Sequence, residues 1–143
     1  MPKTLVLFDT RNGEAVKLAS EVAEGARSVR FAEVDLRSVD EVTGDGALAP
    51  YDGIVLDASS AAVFDAVVRA GALRSKVGGL FAGADGSVQP LLEVLARAGV
   101  ILLPPGAGAG ALTALDADTA RLLGKRLADV VGWITHARSH HHH

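Results

Sequence analysis

Residues 4–26 read TLVLFDTRNGEAVKLASEVAEGA, and this stretch decides the fold. Its first five residues form a short, uninterrupted apolar run, which is typical of a parallel strand that is buried on both faces. After the loop 9–13, apolar side chains recur at helical spacing while charged side chains take the other face. The apolar set is Ala15, Leu18, Ala19, Val22 and Ala26. A buried strand followed by an amphipathic helix is the opening unit of an α/β protein.

The rest of the chain repeats this alternation. Further strands are predicted at residues 31–36, 54–56, 77–82 and 100–103, the first of them at or near the sheet edge. Helices are predicted from Ser59 or Ser60 to Gly71, from Pro90 to Gly99, and from a cap at Asp116 onward. Parallel strands joined by helical crossovers give a five-stranded sheet with helices on both faces, of probable order 2-1-3-4-5. The fold class is therefore α/β, a three-layer sandwich.

The final helix is predicted to bury one apolar stripe. That stripe is Ala120, Leu123, Leu127, Val130 and Ile134. We also expect Trp133 and Tyr51 to be packing residues, because neither lies in a loop that follows a strand. Residues 1–137 form a single domain in this interpretation, and residues 138–143 are a cloning scar with a histidine tag.

Composition excludes several classes of function. The chain has 143 residues, of which 49% are hydrophobic and 22% charged, as in a globular protein. A formal net charge of -3 without a lysine or arginine cluster argues against a nucleic-acid partner. The absence of cysteine excludes disulfides and thiolate metal sites, and no apolar run approaches the roughly 20 residues of a membrane span. We expect a cytoplasmic protein without a membrane partner.

Three stretches carry a resemblance to a known family: residues 51–56 (YDGIVL), 76–81 (KVGGLF) and 118–128 (DTARLLGKRLA). They resemble the third strand, fourth strand and last helix of the flavodoxin-like NAD(P)H:quinone oxidoreductases of the WrbA type. The resemblance implies a flavodoxin-like sheet, FMN bound at three loops, reduction by NAD(P)H, a quinone acceptor and a homo-oligomer. In such sheets ligands bind beyond the carboxyl ends of the strands, so a small molecule is expected in that cleft.

The resemblance also implies which residues would hold FMN. The phosphate would be held at the start of the first helix by Thr10, Arg11, Asn12 and Gly13, where N–H groups and the helix dipole favour an anion. The flavin would be lined by Ser59, Ser60, Gly83 and Gly86. No residue is predicted to be catalytic, because hydride transfer would be the flavin's own chemistry.

The same loops depart from the family pattern. Glu14 and Ala15 stand where the family has a polar residue followed by threonine or isoleucine, and Glu14 adds a negative charge near a dianion. The second loop, residues 57–62 (DASSAA), lacks the family's glycine-threonine-proline run and its aromatic residue. The third loop, residues 81–87 (FAGADGS), has lost most side-chain donors. We therefore predict degenerate FMN loops that bind the cofactor weakly or not at all, with NAD(P)H a cofactor only if FMN binds.

Three carboxylates, Asp9, Asp57 and Asp85, follow predicted strands one, three and four. Converging at the switch point of the sheet, they could hold Mg²⁺ or another hard cation, as in a receiver-like domain. The ordinary interpretation of such aspartates is capping and turn formation. Our first hypothesis is a flavodoxin-fold binding or assembly module with an eroded cofactor site. The alternatives are a working FMN-dependent NAD(P)H:quinone oxidoreductase and the cation-binding domain.

Overall fold

The structure is a computed structural model. It describes residues 2–11, 13–30, 32–42, 48–57, 63, 76–81, 101–102 and 117–140. Apart from Val63, the predicted helices at 59–71 and 90–99 lie outside these ranges. Within those two predicted helices only Val63 is described, and it is helical and buried.

The chain forms one parallel sheet of order β2-β1-β3-β4-β5. Its strands are β1 Lys3–Phe8, β2 Glu33–Ser38, β3 Gly53–Asp57, β4 Val77–Phe81 and β5 Ile101–Leu102. The register places Leu5 opposite both Asp35 of β2 and Ile54 of β3, and Asp57 opposite Phe81 of β4. The predicted parallel α/β sheet is confirmed, and the described residues of β5, Ile101 and Leu102, pair with Val77 and Gly78 of β4.

Two helices pack together against one face of this sheet. They are α1, Gly13–Arg27, and α2, Ala117–His140. Val6, Val55 and Val77 point to these helices and share a core with Leu18, Val22, Leu123 and Leu127. Leu5, Leu7, Ile54 and Leu56 alternate with that set and are also fully buried. Both faces of the sheet are therefore buried, as the continuous apolar runs predict.

The predicted bounds of strand β2 need correction. Strand β2 occupies residues 33–38 rather than 31–36, because Arg37 and Ser38 pair with Leu7 and Phe8 of β1 and extend the ladder. The chain then enters a 3₁₀ turn, Val39–Glu41, where Glu41 accepts hydrogen bonds from the backbone N–H and hydroxyl of Ser38. This capping box ends β2 at Ser38. The strand therefore includes two polar residues, Arg37 and Ser38, that the apolar pattern leaves out.

The buried stripe of α2 also differs from the prediction at its end. Ala120, Leu123 and Leu127 are buried as predicted, whereas Val130 and Ile134 are only partly buried and Val131 is fully buried. Trp133 is 70% exposed, so the prediction that it is a packing residue is wrong. The helix ends at His140, inside the predicted tag. In the described part of the chain, neither helix combines the length and apolar character that crossing a membrane requires.

Candidate functional site

The carboxyl ends of β1 and β3 position five of the predicted site residues. The loop after β1 contains Asp9, Thr10 and Arg11, Gly13 is the first residue of α1, and Asp57 is the last residue of β3. The other predicted residues lie outside the described part of the chain, so their roles stay predictions. They are Asn12, Ser59, Ser60, Gly83, Asp85 and Gly86.

The connection from β1 to α1 is closed by an ion pair between Asp9 and Arg11. Asp9 Oδ1 accepts the backbone N–H of Arg11 at 3.0 Å and its Nε–H at 3.0 Å. Asp9 Oδ2 accepts Arg11 Nη2 at 2.8 Å and Nε at 3.2 Å. An aspartate that accepts the N–H two residues ahead forms an Asx turn, which directs the chain into the helix. The apolar pattern does not predict this ion pair, although a strand-end aspartate two residues before an arginine indicates it.

This ion pair sets the charge at the start of α1. The Asp9 side chain is 13% exposed, whereas that of Arg11 is 76% exposed. The pKa of Arg11 is raised above its ordinary value, first by the hydrogen bond to Asp9 and second by the charge of that carboxylate. The guanidinium is thus held as a cation against a carboxylate of the same loop. An external anion would have to compete with Asp9 for it.

The first turn of α1 contains the carboxylate of Glu14 and has open space beside Gly13. Glu14 is exposed and acidic in the first turn of the helix. Thr10 is exposed, and a Cβ placed on Gly13 would meet no atom within 4 Å. The helix N-terminus therefore offers room for a ligand, and its described ionisable side chains are two carboxylates and one guanidinium.

Asp57 differs from Asp9 in its burial and in its place in the fold. It lies inside strand β3 and is fully buried, whereas Asp9 lies in the loop beyond β1. Within the described ranges, no group of three or more acidic or histidine side chains is placed to hold a metal ion. Because Asp85 lies outside those ranges, the three-carboxylate cation site stays a prediction.

A second polar cluster lies nearer the amino ends of the central strands. The Tyr51 hydroxyl donates to Asp35 Oδ2 at 2.7 Å, and Lys3 Nζ lies 3.6 Å from the same oxygen. The Lys3 ammonium also sits 5.2 Å from the centre of the Tyr51 ring. Two hydrogen bonds between side chains and the backbone extend this cluster. Lys76 Nζ donates to the Tyr51 carbonyl, and Asp52 Oδ2 accepts from the Lys3 N–H at 3.0 Å. These contacts tie β1, β2 and β3 together and give Tyr51 a hydrogen-bonding role in addition to packing.

Solved structures of flavoproteins share this architecture. No family model matches the chain. A diflavin flavoprotein from Nostoc sp. superposes with a TM-score of 0.69 at 19% identity, covering 99% of this chain and 98% of that one. Flavodoxin 1 from Bacillus cereus superposes with a TM-score of 0.63 at 20% identity, over 91% and 97% of the two chains. The chain has a flavodoxin-like fold.

Sequence comparison agrees over a short segment. A flavodoxin from Aquifex aeolicus is 52% identical over 48 residues, which are 34% of this chain and 26% of that protein. The match thus spans about a quarter of the relative's length. The flavoenzyme NAD(P)H:acceptor oxidoreductase from Paracoccus denitrificans shares the fold with a TM-score of 0.60 at 13% identity, over 94% and 98% of the two chains. The expected flavodoxin-like fold is confirmed, and the WrbA type stays a prediction.

Proposed function

We propose that this chain is a flavodoxin-like binding or assembly module whose site at the carboxyl end of β1 binds FMN weakly or not at all. The observation that carries the proposal is the ion pair of Asp9 with Arg11 at the start of α1. This arginine is the cation that the sequence offers for a phosphate, and its Nε and Nη2 already donate to Asp9.

The charge of the loop argues against a tightly held phosphate. Asp9 and Glu14 together outweigh Arg11, so the described ionisable side chains at the helix start carry one net negative charge. Two like unit charges 4 Å apart repel by about 1 kcal/mol even in water, and by more where water is excluded. The backbone N–H groups of the helix N-terminus attract a dianion, but these carboxylates oppose that attraction. The described residues therefore fit a phosphate poorly.

The expected loss of affinity is large. A hydrogen bond to a charged group contributes about 1.5 to 3 kcal/mol, so the loss of two phosphate contacts weakens binding by about two orders of magnitude or more. The same negative loop favours a small ligand that is neutral or cationic, and we propose such a ligand for the cleft at the carboxyl ends of the strands.

The test is a titration of the purified, tag-free protein with FMN, followed by flavin fluorescence. For the wild type we expect no saturation below about 0.1 mM FMN. The double variant Asp9→Asn, Glu14→Gln removes both charges, while the amide oxygen introduced by Asp9→Asn can still accept the Arg11 N–H. We expect it to bind FMN at least about tenfold more tightly. Glu24→Gln, which removes an exposed carboxylate further along α1, is the matched control and should leave FMN affinity unchanged.

A yellow protein on purification, or saturation at about micromolar FMN, would overturn the proposal. It would favour the second candidate, an FMN-dependent NAD(P)H:quinone oxidoreductase. That candidate is supported by the flavoprotein neighbours of the fold and by the open space beside Gly13. NAD(P)H oxidation with a quinone acceptor would then be measured on the FMN-loaded protein.

A further inference from the structure

The solvent face of α2 carries two large apolar side chains. Leu122 is 44% exposed and Trp133 is 70% exposed, and they are the exposed large hydrophobic residues among those described. Eleven residues span three helical turns, so the two side chains share one face about 16 Å apart. The buried residues Leu123, Leu127 and Val131 lie on the other side of the helix. This face of α2 is therefore not a continuation of the core.

Two opposite charges lie between these apolar side chains. Arg126 and Asp129 fall on the same face of the helix by their spacing, and Arg126 is exposed while Asp129 is half-buried. Neither of them forms an ion pair within the described ranges of the chain. The face therefore presents, in chain order, an apolar residue, a cation, an anion and an aromatic residue.

When two such faces run in opposite directions, each apolar residue faces the aromatic residue of the other copy and each cation faces an anion. If a second copy of α2 packs antiparallel about a two-fold axis between Leu127 and Ala128, Leu122 meets the partner's Trp133. In the same register Arg126 meets the partner's Asp129. A parallel pairing would instead place like charges opposite each other. We propose that two copies of this chain associate through this face of α2, as an isologous antiparallel helix pair.

The proposed interface is small, and its affinity should be modest. A single helix face buries less than the roughly 800 Å² per partner of a standard stable interface. Apolar contact between leucine and tryptophan supplies attraction, and the two symmetry-related ion pairs fix direction and register. We therefore expect a Kd of about 10 to 500 µM for the dimer, with weaker association at high salt. The proposal does not depend on whether FMN binds.

The experiment is sedimentation equilibrium of the full chain, up to about 1 mM protein. Trp133 is the single tryptophan of the sequence, so its fluorescence reports this face directly. We expect the average mass to rise toward that of a dimer with concentration, and the emission of Trp133 to shift to shorter wavelength in parallel.

Charge variants separate this face from any other interface. Arg126→Glu alone places two acidic residues opposite each other and should weaken the dimer at least about tenfold. The exchange Arg126→Asp with Asp129→Arg reverses both charges and should restore association, because each pair forms again with opposite polarity. Lys17→Glu makes the same change of charge on the exposed face of α1 and should have no effect.

Three outcomes would overturn the proposal. The first is a monomer at about 1 mM. The second is a dimer that is unaffected by both Arg126→Glu and Trp133→Ser, which would lie on another surface. The third is a charge exchange that does not restore association, although circular dichroism and thermal unfolding match the wild type.

Discussion

Gly25 of α1 and Gly124 of α2 lie at the crossing of the two helices, where neither position has room for a side chain. A Cβ on Gly25 would lie 1.9 Å from the carbonyl oxygen of Arg121, and a Cβ on Gly124 would lie 1.9 Å from that of Val22. Both obstacles are backbone atoms, which cannot turn aside as a side chain can. The two glycines therefore let the helices approach backbone to backbone, and this approach places both of them on the same face of the sheet.

Replacing either glycine should force the helices apart. We expect Gly124→Ala and Gly25→Ala each to lower the free energy of unfolding by about 1 to 3 kcal/mol, even though alanine favours a helix more than glycine does. Gly132→Ala is the control on α2, because its Cβ would meet nothing within 4 Å. It should be neutral or stabilising by up to about 1 kcal/mol. Urea denaturation measures all three, and a Gly124→Ala protein as stable as Gly132→Ala would contradict the close crossing.

A second close approach joins the sheet to α2. A Cβ on Gly53 of β3 would lie 2.5 Å from Val131 Cγ2. Gly53→Ala should therefore cost about 1 to 3 kcal/mol by overpacking, and Val131→Ala a similar amount by leaving a cavity. Combined, the two changes should cost less than the sum of their separate effects, because the lost methyl groups make room for the new one. A double-mutant cycle by chemical denaturation measures this coupling, and strict additivity would show that the two positions do not touch.

The sequence predicts the central elements well, because each of them satisfies one strong pattern. Apolar runs at 4–8, 54–56 and 77–81 become strands buried on both faces, and the 3.6-residue period around Leu18 and Val22 becomes α1. The ends of elements are predicted less well. Strand β2 extends through Arg37 and Ser38 because its backbone pairs with β1, and ladder pairing does not depend on apolar side chains.

The candidate site is harder to predict, because local contacts decide its charge. The sequence places Asp9 and Arg11 at the end of β1, but assigns them separately to a cation and to a phosphate. In the structure the two side chains form an ion pair with each other, and both assignments stay predictions. Trp133 is a second case, because it lies on the solvent face of α2 while the next residue, Ile134, packs against the core.

The hydrogen bond from Tyr51 to Asp35 should make the free energy of unfolding depend on pH in the acid range. The pKa of Asp35 is lowered, first by the hydrogen bond from the Tyr51 hydroxyl and then by the charge of Lys3, while partial burial opposes the shift. A carboxyl whose pKa is lower in the folded state stabilises folding above its unfolded pKa of about 4, and this contribution is lost as the pH falls through the folded pKa. Tyr51→Phe removes the largest cause of the shift. We therefore expect the variant to be less stable at pH 7 by about 1 kcal/mol and to lose less stability than wild type between about pH 5 and pH 2.

Denaturant unfolding at a series of pH values measures this difference. Asp35→Asn is the control, because it removes the titrating group and should flatten the same part of the pH profile. Adding Tyr51→Phe to Asp35→Asn should then leave the profile unchanged. Identical pH profiles for wild type and Tyr51→Phe would contradict the assignment of the shift to the tyrosine hydroxyl.

The charge of the loop after β1 should decide how much the phosphate of FMN contributes to binding. Riboflavin has the same ring system without the phosphate, so the ratio of the two dissociation constants isolates that contribution. Asp9→Asn leaves an acceptor for the Arg11 N–H but frees the guanidinium, and should shift the ratio toward FMN by about tenfold. Arg11→Gln removes the positive charge beside Asp9 and should shift the ratio toward riboflavin. Nuclear magnetic resonance titration at millimolar ligand measures both constants even for weak binding. A ratio that is the same in both variants and wild type would mean that the Asp9–Arg11 ion pair does not face the bound phosphate, and the charge argument against FMN would fail.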